Sequence, residues 1–118
     1  METNAQAQEI LQNEDIGSKD LTTLLDFRKN AQADFVLVDI RESFEIDKGY
    51  IKGCDLFCPT SDFMTFLDEF EKHKDRHIVL YCRSGNRSDQ TKHFLKQRGF
   101  TKISHLAEGI IAYSGTIA

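Results

Sequence analysis

No apolar run in this sequence approaches the roughly 20 residues that cross a bilayer as a helix. A basic excess is missing too: 15 Lys and Arg stand against 19 Asp and Glu, a net charge of −4. At the level of the whole chain this excludes the electrostatic footprint of a nucleic-acid or anionic-membrane binder. Any attraction for anions must therefore be local. The three cysteines, Cys54, Cys58 and Cys82, make no even framework and no Cys-x-x-Cys pair. That pattern fits a reducing compartment and removes the usual support for a zinc site. His73 and His77 straddle a predicted helix end and a strand, a poor frame for a metal. Residues 1–13 lack the basic flank and apolar segment of an export signal. Internal repeats and low-complexity linkers are absent. These absences predict a cytoplasmic protein with no membrane, nucleic-acid or metal partner.

What is present is ordinary globular material: 118 residues, 40% hydrophobic, with nine Phe. That length suits one domain and buries roughly two-thirds of the unfolded chain's surface. Residues 4–12 are polar and Ala/Gln-rich and read as a short helix or a frayed tail. Residues 1–13 are accordingly set apart from a domain over 14–118. A brief strand is expected at 14–16. Ser18 reads as an N-cap, with Asp20 in the first turn. Leu21, Leu24, Leu25 and Arg28 follow a helical stripe that ends near Asn30. Residues 35–40 form a β-rich apolar run of the kind buried in parallel sheets. Residues 41–47 predict a short helix, Gly49 and Gly53 a loop, and 54–57 a short strand stopped by Pro59. Ser61 is expected to cap a helix whose Phe63, Phe66, Leu67 and Phe70 share one face. A strand over 77–81, a helix over 89–98 that stops at Gly99, a strand over 103–106 and a helical turn over 110–113 complete the chain. Strands alternating with helices argue an α/β fold with a mainly parallel sheet.

In such sheets ligands bind outside the carboxyl ends of the strands. Cys82 lies at one such end, and Asp39 and Arg41 at another. Residues 78–88 run from an apolar strand into a Gly-containing polar loop and then into helix-forming sequence. That order makes the loop a cup of backbone N–H groups at a helix N-terminus, which attracts anions. Cys82 opens the cup, flanked by Arg83 and Arg87. A thiol among such donors is expected to have a lowered pKa and to be nucleophilic. The bland alternative is a buried cysteine ending a strand; the arginines and Gly85 argue against it. Ser84 and Ser88 offer hydroxyls to the same anion, and Ser88 suits a helix cap. Asp39 and Arg41 are read as a buried ion pair that ties down the strand end. Cys54 and Cys58, if in one strand, would have Cα atoms roughly 13 Å apart, too far to bridge. Both are read as small core residues. His93 is expected to face solvent, and His105 has no evident partner.

Four blocks in order carry a resemblance. They are Leu37-Val38-Asp39-Ile40-Arg41-Glu42 with Phe44-Glu45; Gly49-Tyr50-Ile51-Lys52-Gly53; Tyr81-Cys82-Arg83-Ser84-Gly85-Asn86-Arg87-Ser88; and Gly99-Phe100 with Leu106, Gly109 and Ala112-Tyr113. Over about 16–113 the chain resembles the single-domain rhodanese-like sulfurtransferases. It departs from that family at Tyr50, Lys52, Cys54, Glu108 and Tyr113, where His, Pro, Ala, Gly and Trp are usual. The resemblance implies a rhodanese-like α/β fold, a parallel five-stranded sheet flanked by helices on both faces. It implies sulfane-sulfur transfer from thiosulfate or polysulfide through a Cys82 persulfide to a thiol, a protein acceptor or cyanide, without a cofactor. Arg83, Ser84, Gly85, Asn86, Arg87 and Ser88 would bind the small anionic donor. A persulfide carrier or a non-catalytic module of the same fold are the alternatives. Phosphatases of related fold place five residues between Cys and Arg; here four separate Cys82 from Arg87. The smaller cup fits one sulfur better than a tetrahedral phosphate.

Overall fold

Residues 3–118 are described in the computed structural model of this chain. Met1 and Glu2, the start of the extension expected over 1–13, lie outside them. Asn4 accepts the Gln6 amide at 2.8 Å on its side-chain oxygen and so caps α1 (Ala5–Leu11), which buries Ala7, Ile10 and Leu11. The chain continues through β1 (Asp15–Ile16), α2 (Ser18–Lys29), β2 (Val36–Asp39), α3 (Ser43–Ile46) and β3 (Leu56–Phe57). A 3₁₀ segment at Thr60–Phe66 precedes α4 (Leu67–Lys72), β4 (Ile78–Tyr81), α5 (Asn86–Gln97), β5 (Ile103–Leu106) and a last 3₁₀ turn at Ile110–Ala112. No helix among the described residues is long and apolar enough to cross a membrane.

The strands pair in the order β1-β5-β4-β2-β3, every pair parallel. Each residue of β2, β4 and β5 is buried, as strands covered on both faces must be. Side chains alternate between the faces. Leu37, Val79, Tyr81 and Leu106 join Ala7, Leu11, Leu21 and Leu24 from α1 and α2 on one side. Val38, Leu80, Cys82 and Ile103 join Phe70 and Leu95 from α4 and α5 on the other. Helices therefore cover both faces, as the resemblance implied.

Three local expectations need correction. Gly17, not Ser18, is the N-cap of α2; Ser18 lies inside the helix, and its hydroxyl meets that of Ser114 at 3.1 Å. The strand expected at 54–57 narrows to Leu56–Phe57, which leaves Cys54 before it and Cys58 after it. The helix expected after Ser61 is a kinked 3₁₀ segment followed by the short α4, with Asp62 off helical geometry. At its start the Glu42 carboxylate accepts the hydroxyl and amide of Ser61 at 2.5 and 3.2 Å and the Thr60 hydroxyl at 3.1 Å. Ser61 is thus drawn away from capping. Phe63 still stacks on Phe70 and Phe94, with centroids 5.2 and 5.4 Å away.

Candidate active site

Alternation along β4 puts Ile78, Leu80 and then Cys82 on the face covered by α5. Three residues later the chain enters α5, so the sulfur sits beneath the helix N-terminus. Gly85 occupies the N-cap with φ +103°, a left-handed conformation that favours glycine. The Gly85 amide donates to Cys82 Sγ at 3.1 Å and the Ser88 amide at 3.4 Å, with the Ser88 hydroxyl 3.6 Å away. Burial pushes the Cys82 thiol up; the Ser88 hydroxyl and the amides of Ser88, Gly85 and Ser84 outweigh it, and the thiol lies below its ordinary value. Burial instead pushes Cys54 up to about 11 and Cys58 up to about 12. Cys54 packs on the α2 side of the sheet and Cys58 on the α4 side.

A second loop braces the first. The carbonyls of Cys82 and Arg83 accept the amides of Ile110 and Ile111 at 2.9 and 3.0 Å. A Cβ on Gly85 would lie 2.0 Å from the Ala107 carbonyl oxygen, and one on Gly109 2.1 Å from that of Arg83. The two loops interlock because both positions lack a side chain.

The two arginines part company. Arg83 is exposed and lines a cavity of about 420 Å³ with Arg41, Phe44, Lys48, Ile111 and Ile117. Among the described residues no carboxylate pairs with it. Arg87 makes a two-pronged contact with Glu45 of α3, at 2.8 and 2.9 Å. That contact is the main reason the Glu45 carboxyl is pushed down to about 2. Arg87 therefore ties the loop to α3 through a carboxylate. Ser84 brings its amide to the sulfur, while Asn86 is an exposed first residue of α5.

The fully buried Asp39 carboxylate accepts from Arg41 three ways. Its contacts are with the Arg41 amide at 2.9 Å, Nε at 3.1 Å and Nη2 at 2.8 Å. Arg41 goes on to donate to the carbonyls of Gly49 at 2.7 Å and Glu45 at 3.3 Å. The pair ties the end of β2 to α3 and to the wall of the cavity beside Arg83.

Ser88 is not the cap. It is fully buried, one turn into α5, and its hydroxyl meets His105 Nδ1 at 2.7 Å. His105 Nε2 in turn lies 3.0 Å from Asp15 Oδ1. No partner for His105 is evident from local sequence. Its place two residues after Ile103 puts it on the α5 face, but only the strand order sets β5 beside β4, with Leu80 and His105 in register. Asp15, Asp89 and His105 hold ligand atoms within 4.8 Å of one another. The Lys92 ammonium lies 3.2 Å from each carboxylate and so fills the position a cation would take.

Comparison with known proteins agrees with this architecture. The rhodanese-like domain model matches residues 19–116. The tRNA uridine(34) hydroxylase of Acinetobacter baumannii is 34% identical over 87 residues, covering 70% of this chain and 27% of that protein. The protein of the same name from Acinetobacter baylyi is 36% identical over 84 residues, covering 68% and 26%. This chain thus spans about a quarter of the length of the curated relatives it matches. Among solved structures, a rhodanese-related protein from Thermoplasma volcanium superposes with a TM-score of 0.68 at 24% identity, covering 90% of this chain and 98% of that one. A protein of unknown function from Rhodopseudomonas palustris, described as a possible tyrosine phosphatase, superposes with a TM-score of 0.70 at 24% identity, covering 97% and 92%. With the family model spanning most of its length and the fold in agreement, the chain belongs to the rhodanese-like domain family.

Proposed function

We propose that this chain is a sulfurtransferase that carries a sulfane sulfur on Cys82. The supporting observation is the Cys82 sulfur held by the amides of Gly85 and Ser88, donors suited to a negative sulfur. The Cys82 thiolate attacks the outer sulfur of thiosulfate. A new S–S bond forms as the donor's S–S bond breaks, and sulfite leaves with the electron pair. An acceptor thiolate, or cyanide in an assay, then attacks the terminal sulfur and restores the Cys82 thiolate. A polysulfide donor reacts in the same way, with a shorter polysulfide leaving. A persulfide carrier differs in handing the sulfur to a protein thiol. The reactive thiol suits a reducing, cytoplasmic setting.

The arginine geometry predicts a division of labour. Arg83→Ala should raise the KM for thiosulfate by at least about tenfold, given the roughly 1.5–3 kcal/mol of a charge-assisted hydrogen bond, and leave the melting temperature close to wild type. Arg87→Ala should lower kcat/KM and the melting temperature together, because Glu45 loses its partner and the loop its tie to α3. Steady-state kinetics and melting curves on both variants check this. A thermal loss in Arg83→Ala with a wild-type melting curve for Arg87→Ala would reverse the assignment.

Cys54→Ala and Cys58→Ala should keep most of the activity, since burial holds both as thiols, away from the α5 cup. Loss of transfer in either at unchanged stability would identify a resolving cysteine.

The four-residue spacing from Cys82 to Arg87 supports sulfur over phosphate as the group held. A second reading comes from the curated relatives named tRNA uridine(34) hydroxylase. In it, the Cys82 site serves an RNA-modifying reaction in a longer protein. Net charge −4 argues against this chain gripping RNA by itself. Gel-shift titration with tRNA at physiological salt tests whether this chain grips RNA by itself: binding tighter than about 10⁻⁶ M, beyond the nonspecific range, favours the RNA-modifying reading.

A further inference from the structure

We propose that Ser88 and His105 form a proton path from the Cys82 thiol toward solvent at Asp15, with His105 the group that takes the proton. The inference rests on Cys82 being the nucleophile. Its basis is an unbroken buried chain: Cys82 Sγ to Ser88 Oγ at 3.6 Å, Ser88 Oγ to His105 Nδ1 at 2.7 Å, and His105 Nε2 to Asp15 Oδ1 at 3.0 Å. Cys82, Ser88 and His105 are all buried, whereas the Asp15 side chain is 68% exposed. The chain therefore joins a buried thiol to the surface at Asp15, a residue outside the lining of the Arg83 cavity.

The hydrogen-bond directions follow from the partners. A carboxylate facing Nε2 places the ring hydrogen there, which leaves Nδ1 bare to accept from the Ser88 hydroxyl at 2.7 Å, a shorter contact than the 3.2 Å from that hydroxyl to the Gly85 carbonyl. A lone pair of Ser88 then faces the Cys82 S–H. When the thiol ionises, its proton moves to Ser88 Oγ as the Ser88 proton moves to Nδ1. The products are a thiolate, an intact serine hydroxyl that now donates to the sulfur, and an imidazolium with hydrogens on both nitrogens. One negative and one positive charge have formed, and the net charge of the site is unchanged. Ser88 touches the reacting sulfur. His105 acts through it and is a positioning residue.

The surrounding charges suit a transient imidazolium. Asp15 of β1 faces Nε2, and Asp89 of α5 lies 3.7 Å from it. Lys92 of α5, 3.5 Å from Glu14, opposes the charge while holding both carboxylates in place. His93 reaches Asp89 from the exposed face of α5 at 3.6 Å. Burial and then Lys92 hold His105 below its ordinary value, so the ring is neutral and ready to accept before transfer.

The test is the pH dependence of Cys82 alkylation by iodoacetamide, followed at Cys82 by peptide mass. This reaction needs no sulfur donor. Failure of the relay and failure of the sulfur-transfer reading are therefore separable. His105→Gln and Ser88→Ala should each slow alkylation at pH 7 about tenfold and move the profile up by about one pH unit. The double variant should be no slower than the slower single variant, because cutting the chain once disconnects it. A wild-type profile for His105→Gln, or losses that multiply to about a hundredfold in the double variant, would overturn the proposal. Should His105→Gln fail to fold, Asp15→Asn at the exposed end carries the test. An upward shift of its profile supports the path, and an unchanged profile overturns it.

Discussion

Cys82→Ser should abolish the proposed sulfur transfer from thiosulfate to cyanide, with kcat/KM reduced by at least about a thousandfold, as expected when the nucleophile of a covalent relay is removed. The reason is chemical. A serine hydroxyl in the same cup meets the same amides of Gly85 and Ser88 but forms no persulfide. The fold should survive, since the smaller oxygen replaces a sulfur already surrounded by donors. The circular dichroism spectrum and melting curve should therefore stay near wild type. Cys82→Ala is the companion variant, because it removes the polar atom as well. Turnover retained in either would remove Cys82 from the mechanism.

Asp39→Asn is the second large effect, and it falls on stability. Asp39 is fully buried and Arg41 nearly so. Neutralising the carboxylate leaves the guanidinium buried without a counter-charge. Breaking one side of a buried pair costs about 3–5 kcal/mol. For a domain of this size that lowers the melting temperature by roughly 10–20 °C. Arg41 also holds the Gly49 and Glu45 carbonyls, so the wall beside Arg83 should loosen and the KM for thiosulfate rise. Replacing both partners by apolar residues, Asp39→Leu with Arg41→Met, should recover part of the lost stability, because no charge then remains buried. Thermal melts of the three proteins decide this. A single variant that melts within about 1 kcal/mol of wild type would show that water reaches the pair.

Much of this was legible in the residues. Runs such as Val36–Asp39 and Ile78–Tyr81 are apolar enough to be buried on both faces, and they are strands. The loop from Cys82 to Ser88 places a thiol, a glycine and two arginines before a helix, and the structure sets the sulfur against the amides at that helix start. The buried Asp39–Arg41 pair was expected from two opposite charges at a strand end, and the structure contains it. What escaped depends on contacts distant in sequence. Glu42 lies 19 residues from Ser61, yet its carboxylate holds the Ser61 hydroxyl that was expected to cap a helix. Glu45 lies 42 residues from Arg87 and pairs with the guanidinium expected to meet the anionic donor. His105 is 90 residues from Asp15, and only the sheet order joins them through β5. Local pattern cannot carry such pairings, because sequence periodicity fixes which face a side chain takes but not which strand lies alongside.

Whether Cys82 carries sulfur as a persulfide is read directly by mass spectrometry of the protein after brief exposure to thiosulfate or polysulfide. One sulfur atom should be added, mapped to Cys82 and absent from Cys54 and Cys58, and it should be lost when cyanide or a thiol is added. A folded, reduced protein that gains no sulfur at Cys82, or gains it at Cys54 or Cys58 instead, would rule out sulfur carriage at Cys82.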